Sequence, residues 1–418
     1  MNYMASINLQ PLRVASAANE NHVLLAKLLS GYCELVTELG GQPDALLAGV
    51  KLTKSELEQP FAMVSLRATG QLLEASATTL GCPDFGLRLA ERQSIEAIMQ
   101  PLDRLFRTAP TVRDALEYCS RHIGVFNSGL LMEVDGQDIV WPDGESQGPS
   151  GKAMGGLHLV DFKLLDGLSL FPQFMEHLLL LTHKSIVWLS AGFAKSRAIW
   201  FSHLNISAPV VYARHFNTVV KFGQEYDSIH LSDADLATKI AGCDAELFAS
   251  EARLAAERFP ARDQEIDVRV RLAILRALTR SEDCNRHNIA RLLGFQERTL
   301  NRHLYKKGTS FESIRDEVRR NLAFRYLARA DLSLCEIAGR LGYSELAVLS
   351  RCCRRWFGMP PRQLRQDLLP AQAAIISNGD VRLIQAARRF MEPPGARPLM
   401  GKSASSPSVR RVQPMSML

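Results

Sequence analysis

One seven-residue word is written twice near the C-terminal end of the chain. Residues 289–295 read IARLLGF and residues 337–343 read IAGRLGY, an offset of 48 positions. Each copy runs Ile-Ala, a few residues, Leu-Gly and an aromatic, and a second helical pattern follows, carrying Arg302 or Arg351. A helix, a glycine turn and another helix, repeated, restricts this part of the chain to paired helix-turn-helix units.

The residues around the repeat extend that reading. Residues 266–279 (IDVRVRLAILRALT) have the apolar spacing of a lead helix. Asn285 is placed to cap the first helix of unit one, which stops near Gly294. Residues 296–306 give its second helix, closed by Gly308. Thr309 with Glu312 predicts a capping box for a long connecting helix over 310–330. Phe311, Ile314, Val318, Leu322 and Tyr326 form its buried stripe. Ser333 with Glu336 caps the first helix of unit two. After Gly342 the turn is one residue longer, and Ser344 is placed to cap a last reader helix running to about Phe357. Gly358-Met359-Pro360-Pro361 breaks it, and 362–369 form a short terminal helix.

Charge divides along the same line. The net charge of +6 is unremarkable until it is split. Residues 285–370 carry 17 Lys and Arg against 8 Asp and Glu, residues 371–418 carry 7 against 2, and residues 1–284 carry 26 against 34. A basic C-terminal part and an acidic remainder predict a polyanion partner for one end and a different task for the other.

Upstream, residues 1–20 read as a flexible leader. Residues 23–40 repeat apolar positions as a helix would, stopping at Gly40-Gly41. Further helices are predicted over 66–80, over 82–92 with Asp84 as cap, and after Thr111 with Asp114 completing the cap. Residues 128–144 carry two apolar runs, LLMEV and DIVW, divided by Asp135-Gly136, a hairpin signal. Two more strand-like runs lie at 198–204 and 219–223, with a helical run, FMEHLLLLTHKSIVWL, before them. Residues 232–259 read as helical again, with Leu236, Ile240, Cys243, Leu247 and Leu254 on one stripe that serves either a dimer seam or packing on its own domain. The polar run 260–265 marks a boundary. Beyond 370, the Pro, Ser, Gly and Arg content predicts a mostly disordered basic tail, with a DNA-touching arm as the alternative.

Eight scattered cysteines show no C-x-x-C pair and no zinc spacing, so they read as reduced thiols of a cytoplasmic protein. No export signal begins the chain, and its most apolar window, 177–193, is interrupted by His183 and Lys184 and is too short to span a membrane.

Residues 285–366 resemble the AraC/XylS family of bacterial transcription regulators. The phrases that carry the resemblance are ERTLNRHLYKKGTSFESIRDEVRRNLAFRYL (297–327) and LSLCEIAGRLGYSELAVLSRCCRRWFGMPPRQLR (332–365). Residues from about 25 to 235 are similar to the companion domain, named for arabinose binding, of one branch of that family, through FGLRLA (85–90) and AIWFSHLNISAPVVYARHFNTVVKFG (198–223). The chain then divides into the leader (1–20), a helix-rich mixed α+β domain (21–235), to which the resemblance gives effector binding or oligomerisation, and a helical linker (236–265). After these come an all-α DNA-binding domain (266–369), with helix-turn-helix units at about 285–306 and 333–356 joined by a long helix, and the tail (370–418). The resemblance implies promoter DNA, RNA polymerase, a small-molecule effector and a homodimer as partners, at the nucleoid, with no cofactor. Unit two departs from the family where Leu346 replaces a usual polar residue and where Leu349 and Cys353 replace Phe. The last two predict looser packing.

Base edges in the major groove offer Arg a two-toothed contact to guanine and Asn one to adenine. Gln296 opens the reader helix of unit one, and Arg298 and Asn301 are its base readers. Arg302 serves either base or phosphate, and Lys306 grips phosphate. In unit two Ser344, Glu345, Leu346, Ser350 and Arg351 take the corresponding places, with Arg354 and Arg355 for the DNA backbone. Glu345 either accepts from cytosine or stabilises its own helix N-terminus. In the N-terminal part His203, His215, Trp200 and Arg214 are candidate pocket residues, with ordinary packing as the alternative.

Enzyme motifs fare poorly. GESQG (144–148) matches a nucleophile elbow but sits in a polar loop between prolines, without the strand and helix that strain such a serine. GPSGK (148–152) lacks phosphate-loop spacing, and His177 and His183, six apart, do not share a helix face. A catalytic N-terminal domain tethered to DNA is the alternative to an effector-responsive regulator, and the residues favour the regulator.

Overall fold

The computed structural model describes residues 22–59, 61–100, 102–135, 157–164, 171–224, 227–258, 266–279 and 282–368. The leader, the tail after 368, the DIVW run, GESQG, GPSGK and the boundary at 260–265 lie outside them.

The chain opens with β1 (Val23–Leu25) and a 3-10 turn (Ala26–Leu29), followed by α1 (Tyr32–Glu38), α2 (Pro43–Gly49), α3 (Lys54–Glu58) and β2 (Met63–Ser65). A helical run follows: α4 (Leu66–Thr79), α5 (Phe85–Arg92), α6 (Ile95–Met99), α7 (Asp103–Thr108) and α8 (Val112–His122). After a 3-10 turn (Ile123–Val125) come β3 (Leu130–Asp135), β4 (Leu157–Leu164), α9 (Pro172–Leu189), β5 (Ala198–Trp200), α10 (Pro209–Phe216), β6 (Val219–Lys221), β7 (Asp227–Ser232), α11 (Asp233–Leu236) and α12 (Ala245–Arg258). This part is helix-rich with two small sheets. The larger sheet has the order β3-β4-β7-β5-β6, antiparallel except for the parallel pair β5-β6.

Helix α9 is the axis of the N-terminal core. Its sequence is apolar nearly all round, which suits a helix covered on every side. Phe174, Leu179, Leu180 and Ile186 are fully enclosed, and α4 and α5 pack along it. Gly86 lets α5 approach so closely that its N–H donates to the Gln173 side-chain oxygen at 2.7 Å.

Several expectations are corrected. Residues 23–40 do not form one helix. Val23–Leu25 pair with Met63–Ser65 as strands, and Gly31, with φ +80°, resets the backbone before α1. Strand β3 pairs with β4, whose strand character the sequence reading missed, as it missed β7. Asp84 stands at the N-cap of α5, but its carboxylate accepts from Arg88 instead of capping the helix. Residues 232–259 break after α11. Leu236, Ile240 and Ala255 join the N-terminal apolar cluster while Cys243 is exposed, so the expected single stripe is not continuous. The Thr111–Asp114 cap forms as a reciprocal box.

The β7–α11 junction is fastened by one carboxylate. Asp235 accepts from Arg197 Nε at 2.6 Å and Nη2 at 2.8 Å, from the Lys195 amide at 3.1 Å and from the Ser232 amide and hydroxyl. Burial alone would raise its pKa, but these donors outweigh it and hold the group below its ordinary 3.8. Asp235→Ala should cost about 2–3 kcal/mol at neutral pH, less than for a fully buried pair because Arg197 stays 43% exposed. With the folded pKa depressed, that difference is complete above pH 3.8 and is lost as the pH falls through the lower, folded value. Urea unfolding of both proteins across that range measures it; a pH-independent gap would contradict the assignment.

From α13 (Ile266–Thr279) the described chain is helical throughout: α14 (Arg286–Leu292), α15 (Glu297–Lys306), α16 (Phe311–Leu327), α17 (Leu334–Arg340), α18 (Leu346–Phe357) and α19 (361–368). Their apolar faces form a second cluster that shares no residue with the first. The connecting helix starts one residue later than expected: Ser310, not Thr309, caps it, and Glu312 pairs with Arg286. Phe311, Ile314, Val318, Leu322 and Tyr326 are all buried.

Candidate nucleic-acid interface

Two helix pairs flank α16 in the chain, and their turns are the same object. In the first, the Gly294 amide donates to the Arg291 carbonyl at 3.1 Å and the Phe295 amide to the Ala290 carbonyl at 2.9 Å. In the second, Gly342 donates to Gly339 and Tyr343 to Ala338, both at 2.9 Å. Every partner is displaced by the 48-residue offset of the sequence repeat. Gly294 and Gly342 hold φ of +75° and +70°, the left-handed conformation that closes a helix with least strain when no Cβ is present. Asn285 caps α14 and Ser333–Glu336 boxes α17, as expected from sequence.

Beyond the turn the register slips by one. Helix α15 begins at Glu297 and α18 at Leu346. In α15, Leu300 and Leu304 are fully buried, and Leu349 and Cys353 fill the same places in α18 with no exposed surface. The opposite face of α15 presents Arg298, Arg302 and Lys306 to solvent, with Asn301 half-buried at its edge. At about 100° per residue these four span an arc of about 140° facing away from the leucines. Gln296 is exposed at the N-cap.

The same construction places Ala347, Ser350, Arg351 and Arg355 on the outer side of α18. Arg351, Arg354, Ser344 and Glu345 are exposed and Ser350 is half-buried. Three expectations change here. Leu346 stands where α15 has Glu297; it is half-buried and packs against the apolar cluster, so the outer position equivalent to Arg298 is taken by exposed Ala347. Ser344 is not the cap; Glu345 occupies that position without a side-chain bond to the helix. Arg355 is engaged by Asp316 of α16, which also accepts from Trp356 Nε1 at 2.9 Å. Asp316 thereby ties α18 to the connecting helix.

Other contacts fix the second pair. The Arg319 guanidinium of α16 lies 4.6 Å from the Tyr343 ring centroid and donates to the Gly342 carbonyl at 3.4 Å. Tyr305 on α15 is 84% exposed beside Lys306, a functional candidate absent from the sequence expectations. The signal was its position outside the 300/304 stripe.

The N-terminal candidates do not come together as one group. The Trp200 ring lies tilted against His230, with centroids 4.2 Å apart, and His215 faces Glu91. Arg214 is exposed, and His203 is half-buried with its ring beside Glu176. His177 bonds Gln93 and His183 bonds Ser196, so the two are separate packing elements. No helix of the described residues is long and apolar enough to cross a membrane.

Comparison with known proteins gives the arrangement its context. Residues 40–240 match the family described as the arabinose-binding domain of AraC transcription regulators, N-terminal, and residues 289–367 match a helix-turn-helix domain. The HTH-type transcriptional regulator VirS of Mycobacterium tuberculosis is 30% identical over 343 residues, covering 82% of this chain and 96% of its own. The ornithine utilization regulator of Pseudomonas aeruginosa is 25% identical over 342 residues, covering 80% and 93%. The crystal structure of the transcriptional regulator CdpR from Pseudomonas aeruginosa aligns over 78% of this chain and 96% of that one at 21% identity, with TM-score 0.37.

Proposed function

The chain belongs to the AraC family of helix-turn-helix transcription regulators, and on that premise we propose that it reads promoter DNA with both helix pairs while its N-terminal part takes a small-molecule effector. The observation that carries this reading is the outward basic face of α15 and its counterpart on α18, which flank one long helix in the chain. The 17 residues of α16 extend about 26 Å. With the turns added, that approaches the roughly 34 Å between successive major grooves on one face of a duplex. One copy of the chain then covers close to two turns of DNA.

The two readers work unequally. Arg298 and Asn301 read bases, Arg302 serves base or phosphate, and Lys306 holds phosphate. On α18, Ala347 offers only a methyl, which suits contact with a thymine methyl, and Arg351 supplies the polar reading. Ser344, Ser350 and Arg354 touch the backbone, and Arg355 positions α18 through Asp316. The part up to α12 is the effector and pairing domain, RNA polymerase is the partner on DNA, and the setting is the cytoplasm.

Arg298→Ala should cost about 1–3 kcal/mol and relax preference at one base pair. Lys306→Ala should weaken all sequences alike and reduce the salt slope by about one. Competition binding on a randomised promoter library separates them. If Arg298→Ala lowers affinity without altering the preferred sequence, α15 is not the base reader assigned here.

A further inference from the structure

The N-terminal core encloses a polar cluster that its own packing does not satisfy. Glu176 of α9 has no exposed surface, and its Oε1 accepts from the Tyr212 hydroxyl at 2.6 Å. That hydroxyl accepts in turn from the Ile206 and Ser207 amides, each at 3.1 Å. His203 Nε2 lies 3.9 Å from the same Glu176 oxygen. Three atoms around this carboxyl have no hydrogen-bond partner among the described residues: Glu176 Oε2, His203 Nε2 and Ser207 Oγ. A buried polar atom left unsatisfied costs about 1–3 kcal/mol, so three in one place call for an occupant. The surroundings are aromatic: Phe222 lies 4.7 Å from Tyr212 and 5.9 Å from His203, and Phe201 lies 4.9 Å from His203.

We infer that Glu176, His203 and Ser207 form the effector site of this chain, and that it takes an uncharged ligand offering both a hydrogen-bond donor and an acceptor, an amide or hydroxyl carried on an apolar or aromatic body. This rests on the effector reading proposed above. His203 Nδ1 lies 2.7 Å from the Leu204 carbonyl and must donate to it, which leaves Nε2 of the neutral ring as a bare acceptor. Burial pushes the Glu176 carboxyl well above its usual range and the His203 ring below its own, which favours the carboxyl as donor and the ring as acceptor. Ser207 Oγ serves as either. A charged ligand would enter without a counter-charge from these three groups, at a large desolvation cost. His203 and Ser207, each 9% exposed, are the members nearest solvent and mark the side of access.

The site touches the DNA-binding half through two hydrogen bonds. The Gly223 amide donates to the His203 carbonyl at 2.9 Å, and the Gly223 carbonyl accepts from Arg329 Nη1 at 2.8 Å. Arg329 follows α16 and also clamps Asp331, just before α17. Movement of His203 on ligand binding therefore reaches the segment that positions the second helix pair.

Four fragments sharing one ring test the ligand class on the full chain: benzamide, benzyl alcohol, benzoate and benzylamine, at millimolar concentration, read by thermal unfolding. Benzamide and benzyl alcohol should raise the midpoint and the two ions should not. Ser207→Ala, which removes a hydroxyl that bonds no described residue, should weaken benzamide about fivefold, while Glu176→Gln, still a neutral donor, should retain it. Benzamide should also slow amide exchange over residues 325–331, and Arg329→Ala should abolish that slowing while leaving benzamide affinity intact. Binding of the ions as well as the neutral pair, indifference to Ser207→Ala, or no binding by any of the four overturns this site. The effector reading fails separately, if a broad metabolite library leaves the midpoint unmoved.

Discussion

Replacing Gly86 by alanine is expected to destabilise the N-terminal part by about 3 kcal/mol or more, the top of the range for overpacking a core. A Cβ at this position would stand 2.1 Å from the Gln173 carbonyl oxygen and 2.9 Å from its carbonyl carbon. Both are backbone atoms of α9, so no rotamer change relieves the clash. Retreat of α5 would also break the Gly86–Gln173 bond and disturb a network in which Gln173 donates to the Pro83 carbonyl at 2.6 Å and its amide to Glu74 at 2.9 Å. Chemical denaturation of wild type and variant measures the effect. A loss under about 1 kcal/mol would show that α5 and α9 are not in the contact described.

Phe311→Ala should do comparable damage at the other end of the chain, costing about 3–5 kcal/mol. The ring has no exposed surface and opens α16, with the guanidinium groups of Arg286 and Arg315 at 5.9 and 5.5 Å from its centroid. Both helix pairs draw on the one apolar cluster to which it belongs. Its removal should therefore abolish DNA retention at temperatures where the N-terminal part remains folded. Thermal unfolding followed alongside DNA binding distinguishes the outcomes. Coincident loss of both parts would show that the two clusters are energetically one.

What could be read in the sequence was what is written within a few neighbouring residues. The boxes at Thr111 and Ser333 are three-residue signals, and both formed. The glycine turns, the connecting helix and its stripe were legible because 3.6-residue spacing is local. Strands β4 and β7 were not legible, since what makes them strands is each other, some 70 positions apart in the chain. For the same reason, residues 23–40 read as a helix: nothing within them reveals Met63–Ser65. On the outward face of α15, Arg298 and Arg302 could be named from residue type and spacing. Leu346 could be named only through the resemblance, which puts a polar residue there; that it packs on the apolar cluster while Ala347 faces outward depends on packing that residue type does not reveal. Glu176 could not be found at all, because a glutamate on an apolar helix becomes informative only once its enclosure is known.

Helix α16 is an unbroken rod between the two pairs, and that has a bearing on how such a chain can change over generations. A single residue gained or lost within it would swing the second pair round by about 100° and shift it only about 1.5 Å along the axis. Under the proposed two-groove reading, one outer face would then turn away from the duplex while the other stayed seated. Descendants can therefore acquire new target sites by trading side chains on the outer faces, whereas altering the distance between the two halves of a target demands the insertion or deletion of about a whole turn at once.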